Sequence, residues 1–258
     1  MFAMLRIGLI SFSVVSLVHL TGCALQSPAQ APLPPTLISI PAFSAPSANA
    51  KQAYPVGWND FIIHSGKKRT IYEIVTFENQ RVLRATSEQS ASGLQALIDV
   101  DPKSKSWISF SWWAEHMLEH ADMNRADGDD SPNRIVLAFD GDKTTLDARD
   151  RAFFEQVKFL TGRDLPYATL MYVWDPKLPA GTVSVSRHTK RIRKIVLGGA
   201  ATPTKQWVKF KRNLLADYQL AYGAETIGRV QSVGLMTDTD NTGDKVTAYY
   251  GDITVTAE

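Results

Sequence analysis

Trp107-Ile108-Ser109-Phe110-Ser111-Trp112-Trp113-Ala114 is the stretch that decides the fold class. Ile108, Phe110 and Trp112 occupy every second position, so an extended strand turns them to one face. Trp107, Ser109, Ser111 and Trp113 then share the other. A period of two excludes an amphipathic helix here. The first set reads as core, whereas the second mixes hydroxyls with indoles, as a partly wet face does. Short β-rich runs of the same kind, bounded by turn residues, recur at 58–64, 71–76, 81–86, 93–100, 134–140, 168–174, 181–186, 192–197, 206–212, 228–237 and 246–256. Twelve such runs predict a mainly β protein, a jelly-roll-like β-sandwich of two sheets.

Two short helices interrupt the strands. Over 146–160, Leu146, Phe153, Val157 and Leu160 form one stripe at spacings of seven, four and three, with Thr144 and Asp147 as a capping-box variant and Gly162 as stop. Over 213–222, Asn213 is the expected N-cap, Leu214, Tyr218 and Ala221 share a side, and Gly223 ends the turn. Helices do not alternate with strands, which argues against a parallel α/β sheet.

The N-terminus reads as an export signal. One cation, Arg6, precedes the uncharged apolar run 7–18, which is too short to span a bilayer needing about 20 residues. Leu20-Thr21-Gly22-Cys23 resembles the lipobox of bacterial lipoproteins. The resemblance implies removal of a signal peptide, 1–22, and acylation of Cys23, anchoring the chain in a membrane. Ala24, not Asp, after the cysteine implies sorting to the outer membrane, facing the periplasm. Seven of the thirteen prolines fall in 24–55 (Pro28, Pro32, Pro34, Pro35, Pro41, Pro46 and Pro55), so 23–55 is read as an extended tether to a single domain, 56–258, with a docked arm as the alternative for 37–43.

The 258 residues carry 28 Lys+Arg against 26 Asp+Glu, a balance of +2 that drops to +1 when Arg6 is removed. Near-neutrality and export speak against nucleic acid as a partner. The single cysteine excludes an internal disulfide framework and a multi-cysteine metal site.

From Trp58 onward the chain resembles a bacterial family catalogued as domain of unknown function 3047. The similarity is carried by Gly66-Lys67-Lys68-Arg69-Thr70, Ser90-Ala91-Ser92-Gly93-Leu94, Asp129-Asp130-Ser131-Pro132, Leu165-Pro166-Tyr167-Ala168 with Tyr172-Val173-Trp174, and Asp238-Thr239-Asp240-Asn241-Thr242-Gly243 leading to Tyr250-Gly251-Asp252-Ile253. It implies an exported protein and no particular activity. The closing aromatic-x-Asp-Ile is also similar to the last strand of carbohydrate-binding β-sandwich modules, which usually read Tyr-Asp-Asp-Ile; here Gly251 replaces the first Asp.

Several constellations are candidates for chemistry. His116-Met117-Leu118-Glu119-His120 matches the H-x-x-E-H of inverted zinc peptidases, which need both imidazoles on one helix. No helix is predicted there, and a strand end leading into a loop is the simpler reading. Asp238, Asp240 and Asp252 are the carboxylates for a calcium site at 238–244, the simpler reading being a hairpin turn. The basic run 187–194 fits a solvated hairpin face or an anionic partner. Trp107 and Trp113 beside Ser109 and Ser111, and Trp174 beside Asp175, are the candidate sugar-stacking platforms. No nucleophile elbow, P-loop or carboxylate pair at glycosidase spacing stands out, so no catalytic residue is assigned. These features predict a lipid-anchored, non-catalytic binder of a glycan or envelope component. An envelope hydrolase acting on polysaccharide or peptide is the alternative, and a structural lipoprotein binding another envelope protein is a third.

Overall fold

The computed structural model describes residues 36, 37, 39–46, 53–125 and 127–257. The expected signal peptide and Cys23 lie outside the described residues. Among the described residues, thirteen strands form two sheets that face each other across one core. The strands are β1 (Trp58–Phe61), β2 (Ile71–Phe77), β3 (Gln80–Glu88), β4 (Ala91–Val100), β5 (Trp107–Ala114), β6 (Ser131–Phe139), β7 (Ala168–Trp174), β8 (Val183–Val185), β9 (Ile192–Gly198), β10 (Val208–Asn213), β11 (Val230–Asp238), β12 (Lys245–Tyr250) and β13 (Thr254–Thr256). The seven-stranded sheet runs β1-β4-β11-β6-β7-β9-β8, and the six-stranded sheet runs β10-β5-β12-β3-β2 with β13 also on β5. Pairing is antiparallel except between β7 and β9. The protein is therefore a mainly β, jelly-roll-like sandwich with two inserted helices, as its strand periodicity predicts.

Alternation in β5 is realised as written. Ile108, Phe110 and Trp112 are buried between the sheets, and Trp107, Ser109, Ser111 and Trp113 are half-buried on the outer face. Across the core, Trp112 stacks on Trp174 at 6.0 Å between ring centroids and Phe110 on Tyr172 at 5.6 Å. Complete burial of two facing indoles is a large apolar contribution, about 150–250 Å² each.

The helices cap the layers unequally. In α2 (Leu214–Tyr222), the Asn213 side chain accepts from the Ala216 N–H, and Leu214, Tyr218 and Ala221 are buried, so this helix follows its sequence stripe. In α1 (Ala148–Thr161), Asp147 rather than Thr144 is the N-cap, accepting from the Asp150 N–H, and Gly162 closes the helix at φ 70°. The stripe read from 146 to 160 is corrected at both ends. Leu146 precedes the helix and is buried, whereas Leu160 is exposed, because the inward side is set by Asp150 bonded to Thr189 and Lys190. No helix among the described residues is long and apolar enough to cross a membrane.

Part of the segment read as a tether is packed on the domain. Leu37 bridges to Ile98, Phe43 is fully buried and stacks on Trp58 at 5.0 Å, and the Trp58 indole N–H donates to the Pro41 carbonyl at 2.9 Å. The physical reason is apolar burial: Phe43 supplies a ring that the Trp58 end of the core would otherwise expose.

Candidate functional site

The register of the six-stranded sheet assembles one row across its outer face. Trp113 lies opposite Tyr249, Tyr249 opposite Arg84, and Arg84 opposite Glu73. On the other side Val208 lies opposite Trp112, so Trp207, one residue before β10, comes level with Trp113. The aromatic members pack closely. Trp113 meets Tyr249 edge-on at 5.1 Å and 83°. Phe77, from the far end of β2, stacks on Tyr249 at 3.9 Å and 10° and reaches Trp113 at 5.1 Å and Trp207 at 6.4 Å. Glu78 and Asn79 both take positive φ, 49° and 61°, giving the tight two-residue turn that joins β2 to β3. A ring from strand β2 touching a ring on β12, with β3 between them, requires this hairpin to curl toward the outer face. Arg84 closes the row, held above the usual guanidinium range by its 2.5 Å hydrogen bond to Glu73.

Beside this row the floor is small and polar. Lys209 lies opposite Ser111 and Lys211 opposite Ser109, and directly opposite residues of an antiparallel pair share a face. The Ser109 and Ser111 hydroxyls have no protein partner among the described residues. Gly251 donates its N–H to the Ser111 carbonyl at 3.0 Å, and a Cβ there would collide with the Ser111 hydroxyl. Glycine at this point of Tyr250-Gly251-Asp252-Ile253 thus lets the Ser111 hydroxyl pack against the backbone. At the end of the same face, the Lys211 ammonium sits 4.9 Å from the Trp107 ring centroid.

Of the three tryptophans picked out as platforms, Trp107 and Trp113 lie on this outer face and Trp174 does not. Trp174 is fully buried in the core, its N–H directed at the Gly199 carbonyl at 3.4 Å, and it offers no surface to a ligand. The sequence reading missed Phe77, Trp207 and Tyr249, which join the row only through non-local pairing.

The three aspartates picked out for calcium are not brought together. Asp252 accepts from the Ser44 N–H at 3.0 Å and the Ser44 hydroxyl at 2.5 Å, anchoring the N-terminal arm. Asp238 and Asp240 cluster instead with Asp130, whose oxygens come within 4.8 Å of theirs. Protein groups already hold each of these carboxylates. Arg134, buried, bonds both Asp238 oxygens at 2.9 and 3.0 Å; Asp130 accepts from the Asn241 and Thr242 amides and side chains; Asp240 pairs with Lys67. Burial pushes the Asp238 carboxyl up to about 7, against the pull of Arg134 and with help from Asp130 and Asp129. Burial also acts to raise Asp129, but Arg134 and Lys194 outweigh it and hold that carboxyl below the usual range.

Of the basic run 187–194, Arg191 and Lys194 are turned inward, while Arg187, His188 and Lys190 stay exposed. Lys194 is buried against Asp129, and Arg191 is buried, bonded to Glu225 at 2.8 and 3.0 Å and stacked on Tyr167 at 4.1 Å. The cause is that β9 lies between β7 and β8, inside the sheet.

His116-Met117-Leu118-Glu119-His120 occupies a bend and turn after β5, without a helix to align the imidazoles. Its side chains border a groove of about 660 Å³ with residues 200–204 and Asp244, and His116 Nε2 is 3.9 Å from Asp244 Oδ1. A neighbouring hollow of about 310 Å³ is lined by His120, Arg125, Asp127, Lys177, Asn241 and Thr242.

Comparison with known proteins places these features in context. Residues 56–254 match the family described as protein of unknown function (DUF3047). No curated protein matches the chain. Among solved structures, the chain is similar to the enzymatically active domain of bacteriophage CBA120 tailspike protein 4, with 6% identity and a TM-score of 0.36 over 78% of this chain. That match spans only 19% of the tailspike chain. It is also similar to the xyloglucanase domain of NopAA from Sinorhizobium fredii, with 10% identity and a TM-score of 0.42 over 77% of this chain and 92% of that one. A carbohydrate-binding module specific for non-crystalline cellulose, CBM28, matches with 10% identity and a TM-score of 0.34 over 86% and 97%.

Proposed function

The chain belongs to the DUF3047 family, and we propose that it is a non-catalytic glycan-binding protein of the cell envelope, held to a membrane by acylation of Cys23. The observation that carries this reading is the row Trp207–Trp113–Tyr249, with Phe77 against it. These half-buried rings lie beside the hydroxyls of Ser109 and Ser111, which have no protein partner among the described residues. Sugars present CH faces that stack on aromatic rings and hydroxyls that need donors and acceptors, and this face offers both. A glycan array together with a peptidoglycan pull-down tests it. At least one glycan is retained by the wild-type chain, and retention of none contradicts the reading.

A second reading, an envelope hydrolase acting on polysaccharide or peptide, has its own observation in the groove where His116 faces Asp244 with Glu119 on the rim. Turnover of an envelope polymer that Glu119→Gln or His116→Ala abolishes would favour it over binding alone. A partner protein in the envelope, the third expectation, is tested by crosslinking in intact cells.

A further inference from the structure

Lys209 and Lys211 on the outer face differ from the basic run at 187–194. The dense basic run at 187–194 is drawn into internal pairs: Lys194 on Asp129, Arg191 on Glu225, Lys190 on Asp147. On β10, by contrast, Lys209 and Lys211 have no carboxylate partner among the described residues. They stand two positions apart, about 6.8 Å along the strand, on the face that carries the aromatic row. β10 is the edge strand beside β5, so both lysines stand next to the serines of that strand. Lys211 is positioned by the Trp107 ring. Two cations without a carboxylate partner, beside aromatic faces and serine hydroxyls, complement a ligand that carries negative charge.

Resting on the glycan reading above, we infer that the ligand is an acidic polysaccharide whose charge is carried by carboxylates on the sugar rings. A ring carboxylate lies in the plane of the pyranose. A ring laid on the platform therefore directs that carboxylate sideways to Lys209 and Lys211, while its CH face meets Trp113 and Trp207. Edge-strand lysines also guard sheet edges against pairing with other chains, and the test must separate the two roles.

Calorimetric titration of the full chain with polygalacturonate, with a phosphate-bearing teichoic-type polymer and with a neutral β-glucan decides it. Polygalacturonate is expected to bind about tenfold more tightly than either of the others, with the difference shrinking at high salt. The Lys209→Gln/Lys211→Gln double variant loses that preference and keeps the wild-type elution volume in size exclusion. Equal, salt-independent binding of polygalacturonate and the neutral glucan overturns this inference and leaves the glycan reading standing. Tighter binding of the phosphate polymer also overturns it. Binding of none of the three polymers also overturns this inference, while the glycan array decides the glycan reading separately. A double variant that binds like wild type but self-associates assigns the lysines to edge protection and overturns the inference as well.

Discussion

Trp113 and Tyr249 stand directly opposite each other on β5 and β12, their ring planes at 83° and their centroids 5.1 Å apart. An edge-to-face pair of this kind contributes about 0.5–1.5 kcal/mol beyond its buried area and fixes both rings. Because Phe77 covers Tyr249, the surface left to a ligand is that of Trp113 and Trp207 with the serine floor beside them. Binding on Trp113 and Trp207 thus engages half-buried rings whose loss costs little stability.

Trp113→Ala is expected to weaken glycan retention at least tenfold while lowering unfolding stability by about 1–2 kcal/mol. Trp174→Ala is expected to do the reverse in kind, since removing a fully buried indole from the Trp112 stack costs about 3–5 kcal/mol. Urea unfolding of both variants checks the contrast.

That contrast also shows what the sequence could reveal. Period-two alternation in 107–114 identifies the face of Trp107 and Trp113 because one side of that sheet is wet. β7 has no such alternation. The seven-stranded sheet is covered on its outer side too, where Val173 and Val196 pack with Met123 beside Met171 and Leu178, so Trp174 sits among buried residues on either side. Trp207, Tyr249 and Phe77 could not be read as one site, since strands distant in sequence bring them together. The same holds for Asp130, which approaches Asp238 and Asp240 from more than a hundred residues away, while Asp252 is claimed by Ser44.

Gly251→Ala is expected to reduce glycan affinity about fivefold or more with less than about 1.5 kcal/mol of destabilisation, because the added methyl displaces the Ser111 hydroxyl from the floor. Titration calorimetry beside thermal unfolding separates the two effects.

The Asp238 pair predicts a pH slope. Its carboxyl titrates near pH 7 when folded and near 3.9 when unfolded, so between those values the folded state binds the proton more tightly. Stability from this group is therefore fully present below about pH 4 and is lost as pH rises through 7. Asp129, held below 3.8, titrates outside that window. Wild type is expected to lose stability relative to Asp238→Asn from pH 4 to 7, with the difference level above pH 7. A difference that stays constant across that range would contradict this assignment.

Calcium is expected to leave the melting temperature unchanged, since Arg134, Lys67 and the Asn241–Thr242 amides already occupy the clustered carboxylates. Thermal unfolding in calcium and in a chelator checks this.

Cys23→Ser is expected to release the protein from the membrane fraction into the soluble fraction after cell lysis. Immunoblotting of the two fractions reads the result, and continued membrane retention would argue for a different anchor.

The most direct measurement is titration of an array-selected glycan into the wild-type chain and into the Trp113→Ala/Trp207→Ala double variant, with folding verified by thermal unfolding. The account predicts saturable binding by wild type and its loss, tenfold or more, in a folded double variant. Binding unchanged in that variant would remove the outer face of the six-stranded sheet as the site.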